Sequence, residues 1–197
     1  MNRLLTTVAI LGAIGVVAPG LADSIPDQDQ DVQDMLVFMR QEEKLARDVY
    51  LYLDGLYGGG RPGTKVFARI AESEQRHTDA VAELLASYGI EDEVADAGVG
   101  EFTDPALQEL YDTLIVVGSA GLTEGLGVGV LIERKDMTDI VEAIELSLDY
   151  DDIVRVYTNL LAGSERHLDA FLKVLDTSAD SSAAAMSATP GERRKGP

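Results

Sequence analysis

Two segments repeat each other around the only two histidines of the chain: SEQRHTDA (Ser73 to Ala80) and SERHLDA (Ser164 to Ala170). In each, the histidine follows an arginine and is followed two and three residues later by Asp and Ala. An imidazole can carry a proton near neutral pH or bind a metal through a neutral ring nitrogen. In the first copy Glu74 stands three residues before His77. Residues three apart share a helix face, so Glu74-x-x-His77 offers a carboxylate and an imidazole to one ion. In the second copy Glu165 is only two residues before His167. Two residues turn a helix by about 200°, so Glu165 must point away from His167, and Ser164 takes the ligand position. The chain has no Cys. Thiolate sites, disulfides and a Cys nucleophile are therefore excluded, and any metal must use oxygen and imidazole ligands.

Helices must position these groups, because no stretch shows sustained period-two alternation. The spacing predicts a first helix over 32–56, with Leu36, Met39, Ala46, Tyr50 and Leu53 on one face. It stops at the breaker cluster YGGGRPG. A second runs over 64–88, with Val66, Ile70, Val81 and Leu84 on its stripe, and Gly89 ends it. Asp104-Pro105 is a cap and first-turn pair opening a shorter helix to about Val117. The next begins near Leu122 and carries Leu126, Val130, Met137, Ile140 and Ile144. Its glycines, Gly125, Gly127 and Gly129, each cost about 1 kcal/mol against Ala and suit close packing on a neighbour. The last, over 151–175, presents Ile153, Val156, Leu160, Phe171 and Val174. The fold class is all-α. Four long amphipathic helices and one long crossover that carries a short extra helix make a four-helix bundle with the ferritin-like connection.

Polar residues interrupt each stripe near its middle. Glu43 lies between Met39 and Ala46, Glu74 and His77 between Ile70 and Val81, Glu133 between Val130 and Met137, and His167 between Leu160 and Phe171. An isolated carboxylate in a core is costly and binds a proton instead. Three carboxylates and two imidazoles that converge in a bundle need a partner, and a pair of divalent ions is the economical one. Glu42 is the rival of Glu43, one residue away, while Glu124 lies off its stripe. Asp136, one turn after Glu133, is the best-placed substitute for the carboxylate missing at Ser164, although ERKD also suits a solvated turn. Tyr50 reads as packing. Arg76, Arg166, Asp79 and Asp169 read as solvated or supporting groups, an Asp being able to hold an imidazole N–H.

Composition bounds the partners. Acidic residues number 35 against 16 basic, for a net charge of −19 and a pI near 4.3. That argues against nucleic acid or an anionic membrane surface as a partner. An apolar share of 46% is enough for one domain with a real core. At the start, Arg3 precedes an uncharged apolar run from Leu4 to Val17, and Gly20-Leu21-Ala22 is a small-x-small pattern. Residues 1–22 read as a secretory signal peptide cut after Ala22, the alternative being an uncleaved anchor. Residues 23–31 form a polar lead-in and 32–176 the bundle. Residues 177–197, rich in Ser and Ala, are expected to be disordered.

The sequence resembles the ferritin-like proteins grouped as domain of unknown function family 2202, over about Met35 to Val174. The resemblance rests on EEKLARDVY (Glu42 to Tyr50), FARIAESEQRH (Phe67 to His77), LQELYDTL (Leu107 to Leu114), VGVLIERKDMTDI (Val128 to Ile140) and NLLAGSERHLDAF (Asn159 to Phe171). Glu-x-x-Ala-Arg-x-x-Tyr followed by Phe-x-x-Ile-Ala-x-x-Glu-x-x-His is also similar to rubrerythrin-type di-iron bundles. The resemblance implies a ferritin-like fold and a di-iron carboxylate centre, and no established reaction. Without Cys the chain holds no rubredoxin-like module to feed electrons in. The expectation is an exported protein that binds two iron ions, manganese fitting the same ligand types, and oxidises Fe(II) with oxygen or peroxide in iron handling or oxidant removal. Glu43, Glu74 and Glu133 would be carboxylate ligands, His77 and His167 terminal imidazoles, and Asp136 the substitute acid. A homodimer and a separate electron donor are the further partners expected. The alternative, which the broken second motif favours, is a metal-free or metal-stabilised bundle serving as a surface binding or structural module.

Overall fold

Five helices follow in order: α1 (Gln30–Tyr57), α2 (Lys65–Tyr88), α3 (Pro105–Gly118), α4 (Leu122–Leu146) and α5 (Asp151–Ser187). The computed structural model describes residues 25–26, 29–59 and 64–187. The signal peptide and cleavage site expected over 1–22 lie outside the described residues, as do 188–197. Among the described residues no helix is long and apolar enough to cross a membrane.

The helix ends follow local chemistry. Gly89 adopts a left-handed φ of 69° at the end of α2, and the Gly89 and Ile90 amides donate back to Ala86 and Leu85. The Asp104 carboxylate caps α3 by accepting from the Ala106 and Leu107 amides, with Pro105 in the first turn. Two boundaries differ from expectation. α1 begins at Gln30, inside the expected lead-in. α5 continues to Ser187, into the Ser- and Ala-rich stretch expected as a tail. The reason is composition: that stretch has Ala and no Gly or Pro, and the first breaker is Pro190.

α1 and α2 form one antiparallel pair and α4 and α5 the other. α1 against α4 and α2 against α5 close the four-helix bundle. The crossover from Gly89 returns along α1, and α3 packs on α1 and α4. The middle of α1 is thereby covered on nearly every side, and even Arg40, Gln41, Glu42, Glu43, Lys44 and Asp48 are buried. Lys44 and Asp48 pair at 2.6 Å, and Lys44 also donates to the Gly98 and Glu101 carbonyls while Asp48 accepts from the Gly100 amide. Arg40 pairs with Asp92, and the Gln41 side-chain carbonyl accepts from the Thr103 and Asp104 amides. The charged face of α1 is thus a fastener for the crossover.

The apolar core has two parts. One gathers Leu45, Val49, Tyr50, Phe67, Leu126 and Phe171, the other Leu36, Met39, Val81, Ile140, Ile153 and Leu160. Between them, on all four long helices, lies a polar belt: Glu43, Glu74, His77, Glu133, Asp136, Ser164 and His167, all buried. On α4 the buried line runs through Gly129, Glu133, Asp136 and Ile140, so the expected stripe residues Val130, Met137 and Ile144 flank it half-buried. Gly129 is needed for contact, because a Cβ there would lie 2.6 Å from the Phe171 ring. Gly127 faces open space.

Candidate metal centre

Each belt residue arrives on a different turn of a continuous helix, so the site is preorganised by backbone. Glu43 comes from α1, Glu74 and His77 from α2, Glu133 and Asp136 from α4, and His167 from α5. The His77 Nδ1 lies 3.2 Å from Glu43 Oε2 and 2.8 Å from Glu74 Oε2. The His167 Nδ1 lies 2.7 Å from Glu74 Oε1 and 3.5 Å from Glu133 Oε2. The two rings stack with centroids 5.4 Å apart. Two sets of ligand atoms result, Glu43–Glu74–His77 and Glu74–Glu133–His167, each with its atoms within 4.8 Å of one another. Glu74 belongs to both.

The donor set fits a cation. Ligands about 2.1 Å from one ion sit roughly 3 Å apart, and the imidazole–carboxylate distances, from 2.7 to 3.5 Å, bracket that value. Several contacts are short yet outside hydrogen-bond geometry: among the described residues, Glu43 Oε1, Glu74 Oε2, Asp136 Oδ1 and His167 Nδ1 are buried without a hydrogen-bond partner. Each such orphan costs about 1–3 kcal/mol, and a cation in each of the two sets would relieve those of Glu43, Glu74 and His167.

Without a cation, protons do that work. Burial pushes the Glu43 carboxyl up to about 8, with Glu74 adding to it and His77 opposing. Burial likewise raises Glu133 to about 7. Burial, then Glu43 and Glu74, push Asp136 well above the carboxylate range. For Glu74 burial is outweighed by the two imidazoles, which hold it down at about 2. Burial opposes the charge on the histidines, but Glu43 and Glu74 raise His77 to about 10, and Glu133 and Glu74 raise His167 to about 9.

The sequence-derived candidates Glu43, Glu74, His77, Glu133 and His167 meet in the two sets. Asp136 stands beside them but in neither set: its Oδ2 accepts a 2.5 Å hydrogen bond from the Ser164 hydroxyl. Glu165 is exposed, as the two-residue spacing requires. Glu42 is not in the centre; it faces Lys135 Nζ at 2.9 Å. Neither Asp79 nor Asp169 holds an imidazole; both are exposed, as are Arg76 and Arg166.

Two contributors escaped the sequence reading. The Tyr50 hydroxyl donates to Glu133 Oε1 at 2.7 Å, so this ring does more than pack. Its signal was its place on the same α1 face as Glu43, two turns on. Gly163 backs onto His77, where a Cβ would stand 2.5 Å from the ring Cε1. No sequence signal separates that glycine from an ordinary helix interruption.

The protein described as uncharacterized protein MJ0754 of Methanocaldococcus jannaschii is 41% identical over 155 residues, spanning 78% of this chain and 80% of that protein. The crystal structure of hypothetical protein MJ0754 from Methanococcus jannaschii is similar with a TM-score of 0.73 at 38% identity, over 82% of this chain and 86% of that one. Residues 32–188 match the family described as an uncharacterized protein domain, DUF2202. That span takes in the whole polar belt, and the chain belongs to the DUF2202 family.

Proposed function

We propose that this chain is an exported, ferritin-like di-metal carboxylate protein that takes two iron ions and oxidises Fe(II) with oxygen or peroxide, for iron handling or oxidant removal. The observation that carries the reading is Glu74. One buried carboxylate turns an oxygen to each of two imidazoles, at 2.8 and 2.7 Å, outside hydrogen-bond geometry. Glu74 is thus the residue that would be shared by both metal positions. One carboxylate from each of two helices and Glu-x-x-His from a third follow the ferritin-like di-iron pattern; the fourth helix departs from it at Ser164.

Bound iron would supply the redox chemistry, one electron from each of two Fe(II) ions reducing peroxide, with two protons, to two waters. The residues of the chain set the conditions. Glu43, Glu74 and Glu133 place negative charge where a higher oxidation state is favoured, and the apolar clusters on either side strengthen that effect by excluding water. With metal bound, His77 and His167 would offer Nδ1 as ligands and keep the ring proton on Nε2. Tyr50 fixes the orientation of Glu133. Manganese suits the same ligand types, so metal identity rests on measurement. Export rests on residues 1–22 alone, and a secreted product beginning at Asp23 is the expected result.

The test is metal analysis of the purified protein with Fe(II) oxidation kinetics, beside a Glu74→Ala/His77→Ala variant. About two irons per chain and oxidation of added Fe(II), both lost in the variant, are expected. Equal metal in both proteins ends the assignment. Redox-silent, sub-stoichiometric metal with unchanged thermal stability favours the alternative, a bundle serving as a surface binding or structural module, to which the Ser164 substitution points.

A further inference from the structure

The antiparallel register sorts the centre into two levels. Glu42 on α1 meets Lys135 on α4, while Tyr50 meets Glu133 and the Gly129 carbonyl. Glu43 is therefore level with Asp136, and the turn approaching Tyr50 is level with Glu133. His77 meets Glu43 and backs onto Gly163, next to Ser164, which holds Asp136. His167 meets Glu74 and Glu133. One level thus contains Glu43, His77, Asp136 and Ser164. The other contains Tyr50, Glu74, Glu133 and His167, with Glu74 reaching into both.

The levels are unequal in charge. At the His77 level α5 offers a hydroxyl where the first motif has a carboxylate. α4 makes up the loss with Asp136, whose Oδ2 is pinned by Ser164 while its buried Oδ1 has no hydrogen-bond partner among the described residues. With the shared Glu74, that level commands two carboxylates and one imidazole in one set, and Asp136 stands beside it as a further carboxylate, close enough to feel the charge of Glu43 and Glu74. The His167 level commands Glu133, the shared Glu74 and one imidazole, and Tyr50 already occupies Glu133 Oε1. For hard divalent cations affinity rises with the number of charged ligands.

We propose that the two halves bind divalent metal unequally: Glu43, Glu74, His77 and Asp136 form a tight position, and Glu74, Glu133 and His167 form a weaker, exchangeable one. The inference rests on the two-metal reading above. It makes the exchangeable half the place where metal enters and leaves, and the tight half a resident that keeps Glu74 oriented.

The test is titration of the metal-free full chain with cobalt(II), followed by visible absorption and calorimetry. Two steps are expected, the first at least about tenfold tighter than the second. Asp136→Asn keeps the Ser164 hydrogen bond and should weaken the first step towards the second. His167→Gln should remove the second step and leave the first. Circular dichroism melts establish that both variants fold. Two equal steps in the wild type overturn the inequality, and an Asp136→Asn titration identical to wild type overturns the place of Asp136 in the tight position; either leaves a two-metal centre standing. An intact chain that binds no cobalt overturns both.

Discussion

Gly163 makes the centre depend on an absent atom. Replacing it with Ala should stabilise an ordinary helix by about 0.5–1 kcal/mol through propensity. Here the new methyl would press on the His77 ring, which Glu43 and Glu74 hold from the other side. Overpacking of that kind costs about 1–3 kcal/mol, so the clash wins. Gly163→Ala is expected to lower the melting temperature and the metal content together; a stabilised variant with full metal would refute the close approach. Tyr50→Phe separates packing from hydrogen bonding in the same way. The ring contacts to Phe171 remain, but Glu133 Oε1 loses its donor, which should cost about 1–3 kcal/mol in urea melts. These two residues mark where sequence reading stops. Glu74, His77 and the displaced Glu165 were legible because helix geometry alone fixes their directions. The partner of Tyr50 lies 83 residues away along the chain, and no periodicity encodes it.

At the scale of elements, the four stripes and their breakers were readable because burial of one face leaves a periodic trace. The surroundings of α1 were not. Its run of Arg40, Gln41, Glu42, Glu43 and Lys44 has the composition of a solvated face, yet all five are buried: Arg40, Gln41 and Lys44 against a crossover that has no period of its own, Glu42 against Lys135 and Glu43 in the belt. Once the crossover is in place the charges are fully used. Lys44 has Asp48 and two carbonyls, and Asp48 has Lys44, Arg47 and the Gly100 amide. Removing one member of a buried pair costs about 3–5 kcal/mol, whereas an apolar replacement of both is far milder. Asp48→Ala should therefore destabilise by that amount and speed amide exchange around Gly98 and Gly100. Lys44→Met/Asp48→Leu should recover most of the stability but not the exchange protection. If Asp48→Ala leaves both stability and exchange unchanged, the crossover is held by other contacts.

Over the whole molecule, two apolar clusters enclose a belt whose charge is balanced by protons or by metal, and pH decides between them. In the metal-free protein Glu43 is raised from 4.5 to about 8 and Glu133 from 4.5 to about 7. His77 is raised from 6.5 to about 10 and His167 from 6.5 to about 9. A raised group binds its proton more tightly folded than unfolded. Its contribution is whole below the unfolded value and is lost as pH climbs through the folded one. These four groups together make metal-free stability fall across the window from 4.5 to about 10. Glu74 works the other way: lowered from 4.5 to about 2, it stabilises above 4.5 and loses that contribution as pH falls towards 2. The metal-free protein should accordingly melt at a higher temperature at about pH 5.5 than at about pH 8.5. Divalent metal must displace the protons on both imidazoles and on the raised carboxylates, so its affinity increases with pH. The rise in melting temperature on adding metal should be larger at about pH 8.5 than at about pH 5.5. The net charge of −19 adds surface repulsion with the same trend, but about 0.5 M salt screens exposed charges and leaves the buried belt little affected. Persistence of both trends in salt therefore assigns them to the belt, and their disappearance assigns them to the surface.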